Sequence, residues 1–184
     1  VDRSKNTPLR TISLCSGYGG AEIGIELAGQ PITPILICEI ESYPLAVAST
    51  KMQKGQIPSC PMFTDLTKLC GKPYEGHTDL LTAGFPCQPF SVAGKKEGVK
   101  DPRHIFPDIL RIIEECKPER VFFENVIGII STKTAMGESV LLHVLRQLEQ
   151  RGYTCSWGIF SAEQVGARHQ RKRVYILGKR SEGF

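Results

Sequence analysis

Hydrophobic positions along the chain fall into two alternating rhythms. Thr11-Ile12-Ser13-Leu14-Cys15, Ile35-Leu36-Ile37-Cys38, Asp79-Leu80-Leu81-Thr82-Ala83 and Val121-Phe122-Phe123 are short apolar runs. Such runs suit strands buried within a sheet. Between them apolar residues recur at helical spacing. One helix is expected from Glu22 to Ala28, with Gly29 suited to its end, and a second over residues 43–52. Ile105, Ile109, Ile112, Ile113 and Cys116 predict a third, which Pro118 blocks from continuing. Val140, Leu141, Val144, Leu145 and Leu148 predict a fourth, closed by Gly152. Residues 153–160 and 174–177 read as two closing strands. Strands alternating with helices imply an α/β fold: a mostly parallel sheet with helices on both faces. Such sheets bind ligands beyond the carboxyl ends of their strands. Three segments are expected there: residues 16–20, 84–91 and 124–126.

Length and composition narrow the class only slightly. A chain of 184 residues with 41% hydrophobic content predicts one domain with an ordinary core. The net charge of +4 is too mild to identify a nucleic-acid binder. Its placement says more, because Arg168, Arg171, Lys172, Arg173, Lys179 and Arg180 crowd one end, although a solvated basic face explains charge alone. The seven cysteines are odd in number and include no CxxC pair, and several sit inside apolar runs. That argues against a disulfide framework and a metal site, and it suits a reducing compartment. The apolar runs are too short to span a bilayer, so no membrane association is expected. Residues 1–8 are polar with no apolar stretch behind them, unlike a signal peptide, and a start at Val1 reads as trimmed.

Four segments carry candidate chemistry. Ser16-Gly17-Tyr18-Gly19-Gly20 lies between a strand and a helix, where glycines let the backbone approach a ligand. It departs from the dinucleotide fingerprint. Glu39 ends the next strand, where an acid can accept hydrogen bonds from ribose hydroxyls. In Gly84-Phe85-Pro86-Cys87-Gln88-Pro89-Phe90-Ser91 two prolines bracket a cysteine and stiffen a loop. Cys87 is thereby set apart from the strand-embedded cysteines, and a thiolate is a strong nucleophile. Glu124 follows an apolar strand; against apolar walls its carboxyl would stay protonated and donate a hydrogen bond to a ring nitrogen. In His169-Gln170-Arg171-Lys172-Arg173, strand alternation would put Arg171 and Arg173 on one side. Each segment alone also has a plain reading: a tight turn, an inert loop cysteine, a solvated acid, an exposed basic turn.

Taken in order, these residues resemble the DNA cytosine-5 methyltransferase family. Pro86-Cys87-Gln88, Glu124-Asn125-Val126 and Arg171-x-Arg173 follow its sequence of motifs, joined by the glycine-rich opening, Glu39, Asp65 and Asp101-Pro102-Arg103-His104-Ile105-Phe106-Pro107. The resemblance runs from about Thr11 to Gly178. It implies a Rossmann-like S-adenosylmethionine-dependent methyltransferase fold, S-adenosylmethionine as cofactor, and double-stranded DNA with a flipped cytosine as partner. Cys87 would be the nucleophile and Glu124 the acid; Arg173 would hold the base carbonyl, Arg171 phosphate or the loop, and Asn125 would brace the Cys87 loop. Ser16, Gly17, Tyr18, Gly19, Gly20, Glu39, Ile40, Asp65, Leu66, Gly84, Pro86 and Ile105 would line the cofactor, with Asp65 at the adenine. Departures are Ser13-Leu14-Cys15 where the family has Asp-Leu-Phe, and His169 where it has Gln. The family also continues into a target-recognition region and a final segment completing the cofactor site, so residues 1–184 are expected to be a catalytic domain truncated before both.

Three other readings stand beside this one. The same chemistry serves an enzyme acting on cytosine in RNA. An inactive half that binds cofactor or a partner fits a truncated domain. A nicotinamide dehydrogenase accounts for the glycines but not for Pro86-Cys87-Gln88 together with Glu124-Asn125-Val126.

Overall fold

The computed structural model describes residues 7–86, 105–134, 136–181 and 183. Strands β1 (Leu9–Leu14), β2 (Ile32–Cys38), β3 (Met62–Phe63), β4 (Leu80–Ala83), β5 (Arg120–Val126), β6 (Tyr153–Phe160) and β7 (Arg173–Arg180) form one sheet in the order β3-β2-β1-β4-β5-β7-β6. All neighbours pair in parallel except β7, which runs antiparallel to both β5 and β6. Helices α1 (Gly20–Leu27), α2 (Ser42–Gln53), α3 (Phe106–Cys116) and α4 (Val140–Glu149) complete the described core. This is the expected α/β architecture.

Alternation sorts the strand residues onto two unequal faces. Ile12, Leu14, Leu36, Cys38, Leu81, Ala83, Val121, Phe123, Val174 and Ile176 share one face and pack with the apolar stripes of α3 and α4 in a single buried cluster. α3 stops where Lys117 enters the left-handed region (φ 48°) before Pro118. α4 starts where Ser139 Oγ accepts the Leu142 amide at 3.2 Å.

The opposite face is thinly covered. α1 lies on it, since Glu22 accepts hydrogen bonds from the hydroxyls of Ser13 (2.6 Å) and Thr82. Yet α1 buries no residue completely, and Leu27 is 84% exposed. Between α1, α2 and this face lies a cleft that opens to solvent. Toward the other edge Phe122 stacks on Tyr175, with ring centroids 5.7 Å apart, and Leu177 is exposed. Among the described residues no helix is long and apolar enough to cross a membrane, and no cluster of three or more His, Cys, Asp or Glu could hold a metal.

Candidate active site at the strand ends

The turn after β1 is shaped by backbone demands. Cys15 (φ 49°), Gly17 (φ 50°) and Gly19 (φ 76°) are all left-handed, a region glycine enters freely and cysteine does not. The Gly17 amide donates to Glu39 Oε2 at 2.7 Å, and the Glu41 amide donates to Glu39 Oε1 at 2.9 Å. The buried Glu39 carboxylate therefore ties the glycine turn to the end of β2. Each of its oxygens keeps acceptor capacity for a further donor. Ser16 Oγ is buried with no hydrogen-bond partner. A Cβ added at Gly17 or Gly20 would meet no atom within 4 Å, so open space borders the turn. Lys51 of α2 donates to the Tyr18 carbonyl at 3.3 Å.

β5 carries the polar pair Glu124-Asn125 within the strand, where Glu124 pairs with Tyr175 and Asn125 with Val174. Alternation sends the two side chains to opposite faces. Asn125 turns inward: its Nδ2 donates to the Phe85 carbonyl at 2.9 Å, and its Oδ1 accepts the Val126 amide at 2.9 Å. The Phe85 ring is clamped from both sides, 5.3 Å from Phe106 and 5.5 Å from Phe123. Pro86 and Gly84 are exposed beside it. Cys87 lies outside the described residues, as do Gln88 and residues 101–104. The segment leading into Cys87 and the helix leading away from His104 are thus pinned together through Phe85 and Phe106.

Glu124 turns to the other face. Its Oε1 accepts from Arg173 Nε at 2.7 Å, and a Cβ placed on Gly84 would stand 3.7 Å from Glu124 Oε2 and 3.5 Å from the Cys15 carbonyl. Its recorded partner is thus a guanidinium, where apolar walls were expected. Arg171 departs from expectation as well: β7 begins at Arg173, and Arg171 sits in the preceding turn with φ 25°. Strand alternation therefore does not carry it to the Arg173 side, and its side chain is exposed.

The residues expected at the adenine, Asp65, Leu66, Ile40 and Ile105, lie apart from the glycine turn in sequence. Asp65 follows β3 and caps the single 3-10 turn Leu66–Lys68, its Oδ1 accepting from the Thr67 amide at 3.1 Å. Lys68 and then Thr67 hold the Asp65 carboxyl below its usual range. Leu66 is buried, Ile40 is exposed, and Ile105 stands at the start of α3. The cleft on the α1 and α2 side is lined by Ser16, Gly17, Tyr18 and Gly19 of the glycine turn, but neither Asp65, Leu66 and Ile105 nor Gly84, Glu124 and Arg173 line it.

A family model described as C-5 cytosine-specific DNA methylase matches residues 9–183. The chain belongs to that family. It is 32% identical over 173 residues to the type II methyltransferase M.NgoMIV of Neisseria gonorrhoeae, covering 94% of this chain and 52% of that relative. To M.MspI of a Moraxella species it is 34% identical over 174 residues, 94% of this chain and 39% of the relative. Among solved structures the Dnmt2 methyltransferase of S. pombe superposes with a TM-score of 0.75 at 27% identity, covering 96% of this chain and 52% of that one. A putative DNA modification methyltransferase from an E. coli prophage shares the fold, with a TM-score of 0.70 at 21% identity. The chain thus spans about half the length of the relatives it matches.

Glu124 and Arg173 meet beside Gly84, and Asn125 holds the Phe85 carbonyl from the opposite face. Arg171 stands apart. Sequence reasoning did not single out Glu22, whose carboxylate meets Ser13 at the position where the family has Asp. A lost strand-end acid with an acid in the first turn of the next helix was the available signal.

Proposed function

We propose that these residues form the catalytic domain of a methyltransferase acting on carbon 5 of cytosine in duplex DNA, with S-adenosylmethionine as methyl donor. The observation that supports it best is the meeting of the Glu124–Arg173 pair with Gly84, two residues before Pro86-Cys87-Gln88 begins. Acid and guanidinium thus stand beside the start of the segment that leads to Cys87.

The residues around the glycine turn fit the cofactor. The partnerless Ser16 hydroxyl suits a polar or anionic group, the Glu39 carboxylate a ribose diol, and Asp65 with Leu66 and Ile105 an adenine. When bound, S-adenosylmethionine supplies an electrophilic methyl group. The cytosine enters flipped from the duplex. The Cys87 thiolate attacks carbon 6, and Glu124 as the acid meets the ring-nitrogen edge and stabilises the charge that develops. Arg173 both orients Glu124 and faces the base carbonyl; carbon 5 then takes the methyl group. Loss of the carbon 5 proton to a base re-forms the double bond and expels Cys87 as thiolate. Asn125 holds the Phe85 carbonyl and so steadies the start of the Cys87 loop. Arg171, exposed in its turn, would hold phosphate or the loop.

A duplex containing 5-fluorocytosine tests the covalent step, because a fluorine at carbon 5 cannot leave as a proton. Incubated with the full-length protein and S-adenosylmethionine, it is expected to give a protein–DNA adduct by mass spectrometry, absent in Cys87→Ser. A Cys87→Ser protein that still turns over removes Cys87 from the role. Equal or better methyl transfer to structured RNA reassigns the substrate.

A further inference from the structure

The adenine side of the proposed cofactor site has little structure of its own. Leu66–Lys68 and Lys72–Tyr74 are isolated 3-10 turns. The first is closed by the Lys68 amide to the Asp65 carbonyl (3.0 Å) and the Leu69 amide to the Leu66 carbonyl (3.2 Å). Turns of this length are weakly stable alone.

α3 supplies what the turn lacks. Arg111 Nη1 donates to the Leu69 carbonyl at 2.6 Å, and Nη2 donates to the carbonyls of Leu66 (3.0 Å) and Thr67 (3.4 Å). Asp108 and Glu115, each 3.2 Å from the guanidinium on the same helix, aim the fork and balance its charge. Glu115 Oε2 also accepts the Gly71 amide at 2.5 Å. The approach is close, since a Cβ at Gly71 would stand 3.1 Å from both the Ile112 carbonyl and Glu115 Cβ. One helix thus follows directly on Ile105 and grips the backbone of residues 66–71.

We propose that Arg111 is a positioning residue for the adenine end of the cofactor site: its guanidinium fixes the Leu66 wall at a set distance from the Ile105 wall. The inference rests on the reading that Asp65, Leu66 and Ile105 border the adenine. On the turn itself Arg111 acts through the backbone carbonyls of Leu66, Thr67 and Leu69. Lysine cannot replace it, because a single ammonium does not reproduce the planar fork that spans separate acceptors. Charge-assisted bonds of this kind are the stronger ones.

The test measures S-adenosylhomocysteine binding by calorimetry, duplex DNA binding, and turnover at saturating cofactor, in the full-length protein. The variants are Arg111→Lys and Arg111→Met, with Arg151→Met as control, because Arg151 pairs with Glu114 of α3 at 2.6 Å on another side. Both Arg111 variants are expected to lose at least about tenfold in S-adenosylhomocysteine affinity. Their DNA affinity and saturated turnover are expected to stay within about twofold, and Arg151→Met to bind normally. Amide exchange at Lys68 and Leu69 is expected to accelerate while that of β1 and β5 holds. If Arg111→Met fails to fold, Arg111→Lys decides by the same measures. Unchanged ligand affinity in the Arg111 variants, or an equal loss in Arg151→Met, overturns the inference alone. A parent protein that binds no S-adenosylhomocysteine overturns the cofactor reading, and this inference with it.

Discussion

Glu124 has two carboxyl oxygens with different neighbours: Oε1 takes Arg173 Nε, and Oε2 points toward Gly84. Glu124→Gln separates the two functions. The amide oxygen still accepts from Arg173, so the pocket keeps its shape, while the acid is gone. Single-turnover methyl transfer is expected to slow ~10²–10³-fold, the usual cost of one transition-state contact, with S-adenosylmethionine affinity unchanged. An unaltered rate would remove the acid role. Asn125 is a different case, because its side-chain hydrogen bonds go to the backbone of Phe85 and Val126. Asn125→Ala leaves the buried Phe85 carbonyl and the Val126 amide without their side-chain partner, and denaturant titration is expected to show a loss of about 1–3 kcal/mol. Asn125→Asp can still accept from Val126 but offers Phe85 no donor, so it is expected not to recover the loss.

β5 shows what an element adds to its residues. The apolar run Val121-Phe122-Phe123 marks its centre, but the strand extends over Arg120–Val126 because β7 pairs with it along its whole length. A distant partner leaves no local mark, and polar Glu124-Asn125 reads as a strand end until that pairing overrides propensity. The extension is what sends Glu124 and Asn125 to opposite faces. α3 and α4 were legible for the opposite reason: each buries a full stripe at helical spacing. The turns between Leu66 and Tyr74 were not legible, being too short for periodicity, and the first is held by Arg111 from about forty residues away. Arg171 lies before β7, where alternation no longer applies. The β5–β7–β6 unit also has a tight spot, since a Cβ at Gly178 would lie 2.7 Å from Val121 Cγ2 and 3.4 Å from Tyr153 Cβ. Gly178→Ala is expected to destabilise the protein by about 1–3 kcal/mol through overpacking, read as a lower denaturant midpoint. No change would mean that β6 and β7 shift freely.

Over the whole molecule, the uneven division between faces decides how the chain responds to alkali. The α3 and α4 side is apolar and tight, and burial pushes the thiols of Cys38 and Cys116 up to about 12 from an ordinary 9.0. Burial also carries Cys15, at the glycine turn, to about 12, with Glu39 adding to it. Cys60 and Cys155 rise to about 11, again mainly by burial. In the folded state these groups keep their protons to higher pH than in the unfolded chain. Below about 9 both states are protonated and the contribution to stability is fully present. From about 9 to about 12 the unfolded chain holds fewer protons, so stability falls as pH rises. Buried Tyr153, whose hydroxyl donates to the Pro118 carbonyl at 2.7 Å, is shifted upward as well and pulls the same way. The denaturant midpoint, flat near neutrality, is therefore expected to drop steadily above pH about 9. The midpoint sums every group that loses a proton in that window, so it does not assign the cause. Cys116→Ala does: it removes a titrating thiol from the closed face and is expected to lower stability near neutrality yet flatten the alkaline slope. A slope as steep in Cys116→Ala as in the parent would show that this thiol does not set the alkaline limit.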